Sequence, residues 1–192
     1  ETQKKHLLKY SKTIPKDQIL LEPEGKNTAT SIGWAAIKIS EKHPEAILTV
    51  IPSDHLINKK TAFLSDIKKA QNIIKKNPES IVTIGIKPTK PHTGYGYIES
   101  KKKIKTYAEA KGFHEKPNEK KAKEYIKKGN YYWNSGMFIW KAKTVLCLME
   151  KYLPQQKKHL SRLQGKPTKK ELKQVFSKCI NISIDHAILD HV

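Results

Sequence analysis

Two short apolar runs constrain this chain more than any other feature. Ala46-Ile47-Leu48-Thr49-Val50-Ile51 and Ile81-Val82-Thr83-Ile84-Gly85-Ile86 are nearly continuous in apolar and β-branched residues, as expected of strands buried on both faces of a parallel sheet. Between them, Phe63, Ile67, Ala70 and Ile74 recur at helical spacing. Before them, Ala29, Ile32, Ala35, Ala36 and Ile39 form a second amphipathic pattern, with Asn27-Thr28 reading as its cap. That helix runs out at His43-Pro44, where proline discourages continuation. The order helix, strand, helix, strand predicts an α/β, Rossmann-like core with a mostly parallel sheet and crossover helices.

The texture changes after Pro88. Gly94–Glu99 reads as an extended segment entered through glycine turns, Lys101–Lys105 as a charged turn and Thr106–His114 as a returning strand. Asn118 is expected to cap a lysine-rich helix with the stripe Ala122, Tyr125, Ile126, closed by Gly129. Tyr132–Trp140 reads as a further strand, with helices from Lys141 to Leu153 and beyond Pro154. This half is α+β in style and follows without a linker. The 192 residues suit one domain or part of a larger one. The reading is a single, partial domain, 1–192, whose halves divide near residue 90.

A formal charge of +20 invites a nucleic-acid reading. Two facts argue against a specific nucleic-acid partner. Arg162 is the only arginine, whereas bidentate recognition of bases and phosphates favours arginine. The lysines are also scattered over every segment, as on a solvated surface, where they can still attract anionic substrates. No apolar stretch is long enough to span a bilayer, and residues 1–6 lack the apolar core of a secretory signal. Cys147 and Cys179 lack metal-ligand spacing and sit in amphipathic helical stretches, so both are expected to be reduced, buried thiols of a cytoplasmic protein.

Four segments could carry chemistry. Pro52-Ser53-Asp54-His55 follows a buried strand, at the end where open parallel sheets bind ligands. Asp54 there suits a hard divalent cation, or simply caps the next turn. Glu22–Ala29 is a Pro/Gly loop running into a helix start, which offers free N–H groups to an anion or base edge but lacks the P-loop spacing. Phe113-His114-Glu115-Lys116-Pro117 ends a strand. Glu115 and Lys116 are expected on opposite faces and so not paired, and Lys116 is either solvated or a phosphate contact. Trp133–Phe138 carries a polar Asn-Ser-Gly unit, either a structural bulge or a binding site.

Taken in order, EPEGKNTA (Glu22–Ala29), PSDH (Pro52–His55), TGYGYI (Thr93–Ile98), EKP (Glu115–Pro117), WNSGMF (Trp133–Phe138) and Ile182–Ile188 closely resemble the mannose-1-phosphate guanylyltransferase family of sugar nucleotidyltransferases. The resemblance covers nearly the whole chain. It implies condensation of GTP with mannose 1-phosphate, with Mg²⁺, to give GDP-mannose and pyrophosphate, as feeds polysaccharide biosynthesis. It also implies roles for residues. Glu22, Gly25, Asn27 and Thr28 would line the nucleotide, and Asp54 would hold the metal with His55 in support. Gly96 would present backbone to the sugar, Glu115 would bind sugar hydroxyls, Lys116 would reach the sugar phosphate, and Asn134 would complete the mannose pocket. Asp54 and Lys116 are the catalytic candidates. Asp185 matches a family motif without an assigned contact.

Departures accompany the match. The family's N-terminal glycine-rich loop and its second metal aspartate have no counterpart in these residues. Lys26 stands where Arg is usual, Thr30 in place of proline, and His186 in place of Tyr. The expectation is therefore a fragment of the enzyme with little or no activity by itself. The alternatives are a sibling enzyme with another nucleotide or sugar, a parent also bearing a mannose-6-phosphate isomerase domain, and a non-catalytic homologue. Homo-oligomerisation is left open.

Overall fold

The computed structural model describes residue 9, residues 14–102 and residues 106–192. Residues 1–6, read as lacking a signal, and 103–105 of the charged turn lie outside the described residues. The described residues form two compact units, one within 47–144 with 189–192 and the other within 1–46 with 145–188. A division near residue 90 does not coincide with these units.

The first unit is built on a five-stranded sheet. Its strands are β1 (Ile47–Val50), β2 (Val82–Ile86), β3 (Tyr97–Ser100), β4 (Ala110–His114) and β5 (Tyr131–Lys141). The eleven-residue β5 is the hub. It pairs with β1 (Val50 opposite Phe138), with β2 (Val82 opposite Ile139, Ile86 opposite Trp133) and with β3 (Tyr97 opposite Trp133). β4 pairs with β3, with Tyr97 opposite His114. Every pairing here is antiparallel, so the expected mostly parallel sheet is corrected. β1 and β2 do run in the same direction, but β5 lies between them. Among the described strands β1 and β2 each pair on one side only, with β5, and of their residues only Leu48 is buried while Gly85 and Ile86 are exposed, so the expected burial on both faces is corrected as well.

The helix between them, α2 (Lys60–Lys76), lays the predicted stripe on the sheet. Ile67, Ala70 and Ile74 form one cluster with Ile139, bordered by Ile47, Phe63, Val82 and Ile84. Helix α3 (Glu119–Lys128) begins where the Asn118 side chain accepts from Lys121 N–H at 2.9 Å, and ends at Gly129 with φ 73°. It buries Ala122 and Tyr125 against Tyr97 and Tyr131.

The second unit is helical. Helix α1 (Asn27–Lys42) meets α4 (Ala142–Tyr152), α5 (Pro154–Leu160), α6 (Lys169–Phe176) and the short α7 (Ile184–Ala187). Trp34 and Phe176 meet edge to face at 5.4 Å. Cys179 is buried as expected, and burial pushes its thiol up to about 11, which keeps it protonated and inert. Cys147 is instead exposed, a correction to its reading as a core thiol.

Candidate active site

The sheet of the first unit gathers four predicted residues at one place. The carbonyl of Gly96, just before β3, accepts from Asn134 N–H of β5 at 2.8 Å. A Cβ built on Gly96 would lie 2.6 Å from Glu115 Oε2 and 3.7 Å from Asn134 Cβ. The absent side chain is thus what lets the carboxylate approach the strand. Asn134 Oδ1 accepts from Gly136 N–H at 3.0 Å, which fixes the amide across a kink where Gly136 has φ +67°. Ser135 donates its hydroxyl to the Ile84 carbonyl at 2.6 Å and accepts from Met137 N–H. The Asn-Ser-Gly unit is therefore both a structural irregularity and part of this constellation.

Lys116 leaves the strand. Its φ of 35° is unusual for a residue with a side chain and costs about 1–2 kcal/mol. The turn brings Lys116 Nζ to 3.4 Å from Glu115 Oε1. This corrects the expectation that the two point apart, because strand alternation no longer applies past His114. Both groups keep contact with solvent, so the pair adds little stability and leaves the ammonium able to meet an anion.

The Pro52–His55 turn abuts the same strand, since Pro52 Cγ would be 3.4 Å from a Cβ on Gly136. Asp54 is 86% exposed, with His55 Nε2 at 4.0 Å from its carboxylate. Among the described residues no group of three or more His, Cys, Asp and Glu could hold a metal ion. Asp54 thus offers one carboxylate, a donor set that fits Mg²⁺ carried largely by substrate phosphates and waters rather than an all-protein cage.

Glu22, Gly25, Asn27 and Thr28 belong to the other unit. Ser31 of α1 donates to Glu22 Oε1 at 2.7 Å, which holds that carboxylate at the helix start. Asn27 takes φ 63°, and its Oδ1 accepts from Thr28 N–H at 2.9 Å. Thr28 Oγ1 accepts from Ile184 N–H at 2.9 Å, so it anchors the start of α7. Nothing of the protein lies within 4 Å of a Cβ on Gly25. Thr30, the departure from the family's proline, is fully buried and used: its hydroxyl donates to the Lys26 carbonyl at 3.2 Å and accepts from Gln156 at 3.0 Å. A separate concavity of about 440 Å³, lined by Arg162, Glu171, Gln174, Val175, Ser177 and Lys178, holds none of the predicted residues.

Sequence reasoning missed an aromatic cluster beside Gly96. His92 stacks on Tyr95 with ring centres 4.2 Å apart, and Tyr95 meets Trp133 at 5.2 Å. The signal was a histidine and a tyrosine flanking Gly94, with Trp133 directly before Asn134.

A family model described as nucleotidyl transferase matches residues 1–178. The chain belongs to that family. An Escherichia coli mannose-1-phosphate guanylyltransferase is 35% identical over 194 residues, covering 91% of this chain and 40% of the relative. The chain thus spans well under half of that relative's length. A crystal structure from Thermus thermophilus, described as a mannose-1-phosphate geranyltransferase, superposes with TM-score 0.85 at 30% identity, over 98% of this chain and 53% of that one. A Helicobacter pylori structure described as a mannose-6-phosphate isomerase gives TM-score 0.76 at 34% identity, over 90% and 67%. This nucleotidyl transferase chain is therefore a mixed α/β fold whose described sheet is antiparallel. Among the described residues, no helix is long and apolar enough to cross a membrane.

Proposed function

We propose that this chain carries the sugar-phosphate site, and part of the nucleotide site, of an enzyme making GDP-mannose from GTP and mannose 1-phosphate. The observation that carries the reading is the meeting of Gly96, Glu115 and Asn134, so close that a methyl group on Gly96 would strike the Glu115 carboxylate, with Lys116 Nζ on Glu115. A carboxylate beside an amide is suited to a polyhydroxylated ring, and a neighbouring ammonium to its phosphate.

In this reading the sugar phosphate oxygen forms a bond to the α-phosphorus of GTP as the α–β phosphoanhydride bond breaks and pyrophosphate leaves. No protein nucleophile is needed, so alignment and charge neutralisation carry the rate. Glu115 and Asn134 orient the mannose, Lys116 offsets the charge of its phosphate, and Glu22, Gly25, Asn27 and Thr28 line the nucleotide. Asp54 would hold Mg²⁺, which supplies further neutralisation of the phosphates.

Calorimetric titration of the chain with mannose 1-phosphate and with GDP-mannose plus Mg²⁺ tests this. Saturable binding that weakens roughly tenfold or more in Lys116→Ala is expected, the worth of a charge-assisted contact. Absence of binding to both ligands, alongside steeply salt-dependent binding to arbitrary nucleic acid, would refute the proposal. The likeness to the isomerase structure makes mannose 6-phosphate the second ligand to titrate; preference for it would move the assignment to that substrate.

A further inference from the structure

We propose that His92 is a positioning residue: its neutral imidazole ties down the Gly94–Gly96 strap that forms one wall of the sugar site. This rests on the site reading above and adds to it a residue that no motif identified.

Three contacts converge on His92. Its Nδ1 accepts from Gly94 N–H at 3.0 Å, its carbonyl accepts from the Tyr97 hydroxyl at 2.9 Å, and its ring stacks on Tyr95 at 4.2 Å with 16° between the planes. Trp133 meets both rings edge-on, at 6.3 Å and 5.2 Å. The strap is thus held from within by His92 and from β5 by the bond of Asn134 N–H to Gly96 O. Gly94 has to be glycine for this to work, since a Cβ there would lie 2.9 Å from His92 Cε1. An imidazole can accept at Nδ1 only with its proton on Nε2. Tyr95, 47% exposed and one residue from Gly96, is thereby held against the His92 ring. Gly96 cannot move without altering its close approach to the Glu115 carboxylate.

The two properties of His92 can be separated. His92→Asn keeps an acceptor able to bond the N–H two residues on but loses the stacked ring; His92→Phe keeps the ring and loses the acceptor. Binding of GDP-mannose to the full chain is expected to weaken roughly tenfold in His92→Ala, the worth of one hydrogen bond with its ordering. It should weaken similarly in His92→Phe and recover in His92→Asn, with melting temperatures unchanged. Wild-type affinity in His92→Phe or His92→Ala overturns the proposal. Independently of any ligand, nitrogen-15 NMR of labelled histidine at mildly alkaline pH should find the Nε2–H tautomer at His92 and a slowly exchanging Gly94 amide. The opposite tautomer overturns the tie itself. A wild-type chain that has the tautomer but binds no sugar nucleotide refutes the sugar-site reading and, with it, this role for the strap.

Discussion

Gly96→Ala separates the site from the fold. The new methyl carbon would stand 2.6 Å from Glu115 Oε2 and 3.7 Å from Asn134 Cβ, so only the first contact is a clash. The carboxylate is the far end of a flexible, partly exposed side chain, and it can swing aside at a cost of about 0.5–1.5 kcal/mol for an off-rotamer side chain. Gly96 is not among the positive-φ glycines, so alanine adds no backbone strain. The melting temperature should therefore fall by only about 2–5 °C. Binding should suffer much more, because Glu115 is displaced from where a sugar hydroxyl would meet it. Loss of a hydrogen bond to a charged group is worth about 1.5–3 kcal/mol, or roughly 10- to 150-fold in the affinity for mannose 1-phosphate. Calorimetry and thermal melting on the same preparation check both numbers. Unchanged affinity would remove Glu115 from the site, and a melting temperature lowered by more than about 10 °C would make the contact structural.

Three further outcomes are expected. Asp54→Ala, at an 86% exposed side chain, should leave stability within about 0.5 kcal/mol by urea titration while abolishing Mg²⁺-dependent strengthening of GDP-mannose binding; persistence of that strengthening dismisses Asp54 as the metal contact. Phe176→Ala empties a fully buried ring site against Trp34 and should cost about 3–5 kcal/mol in urea unfolding, with a loss below about 1 kcal/mol contradicting the packing. Tyr131 is held protonated by burial and by the Glu99 carboxylate, which push its hydroxyl from 10.0 up to about 12. A raised folded value means its contribution is intact below about pH 10 and lost as pH climbs towards about 12. The stability of wild type relative to Tyr131→Phe should therefore fall over that window, and a pH-independent difference would show that the hydroxyl is not so held.

Local structure was readable where one residue does one job. Asn118 and Gly129 bracket their helix, and Phe63, Ile67, Ala70 and Ile74 face the sheet, because cap chemistry and helical period depend only on near neighbours. Strand pairing was not readable. Ala46–Ile51 and Ile81–Ile86 find their partner in β5, a strand that arrives much later in the chain, and nothing local says which way that neighbour runs. Motif order singled out Gly96, Glu115 and Asn134, which lie side by side, but the pairing of Glu115 with Lys116 depended on a single left-handed φ that lysine does not advertise. His92 escaped because its partners Tyr95 and Gly94 become meaningful only once Trp133 arrives beneath them.

The bond from Ile184 N–H to Thr28 Oγ1 and that from Ala29 N–H to the Ile182 carbonyl join the two far ends of one helical unit. On a ribosome this imposes a timetable. Residues 47–144 can emerge and begin to condense as one uninterrupted stretch, whereas α1, made earlier, waits for α4 to α6 before Gly33 and Trp34 are covered and for the tail segment before its first turn is tied down. Nascent chains halted with α4 to α6 still inside the tunnel should therefore engage chaperones through the older helix rather than through the newer sheet.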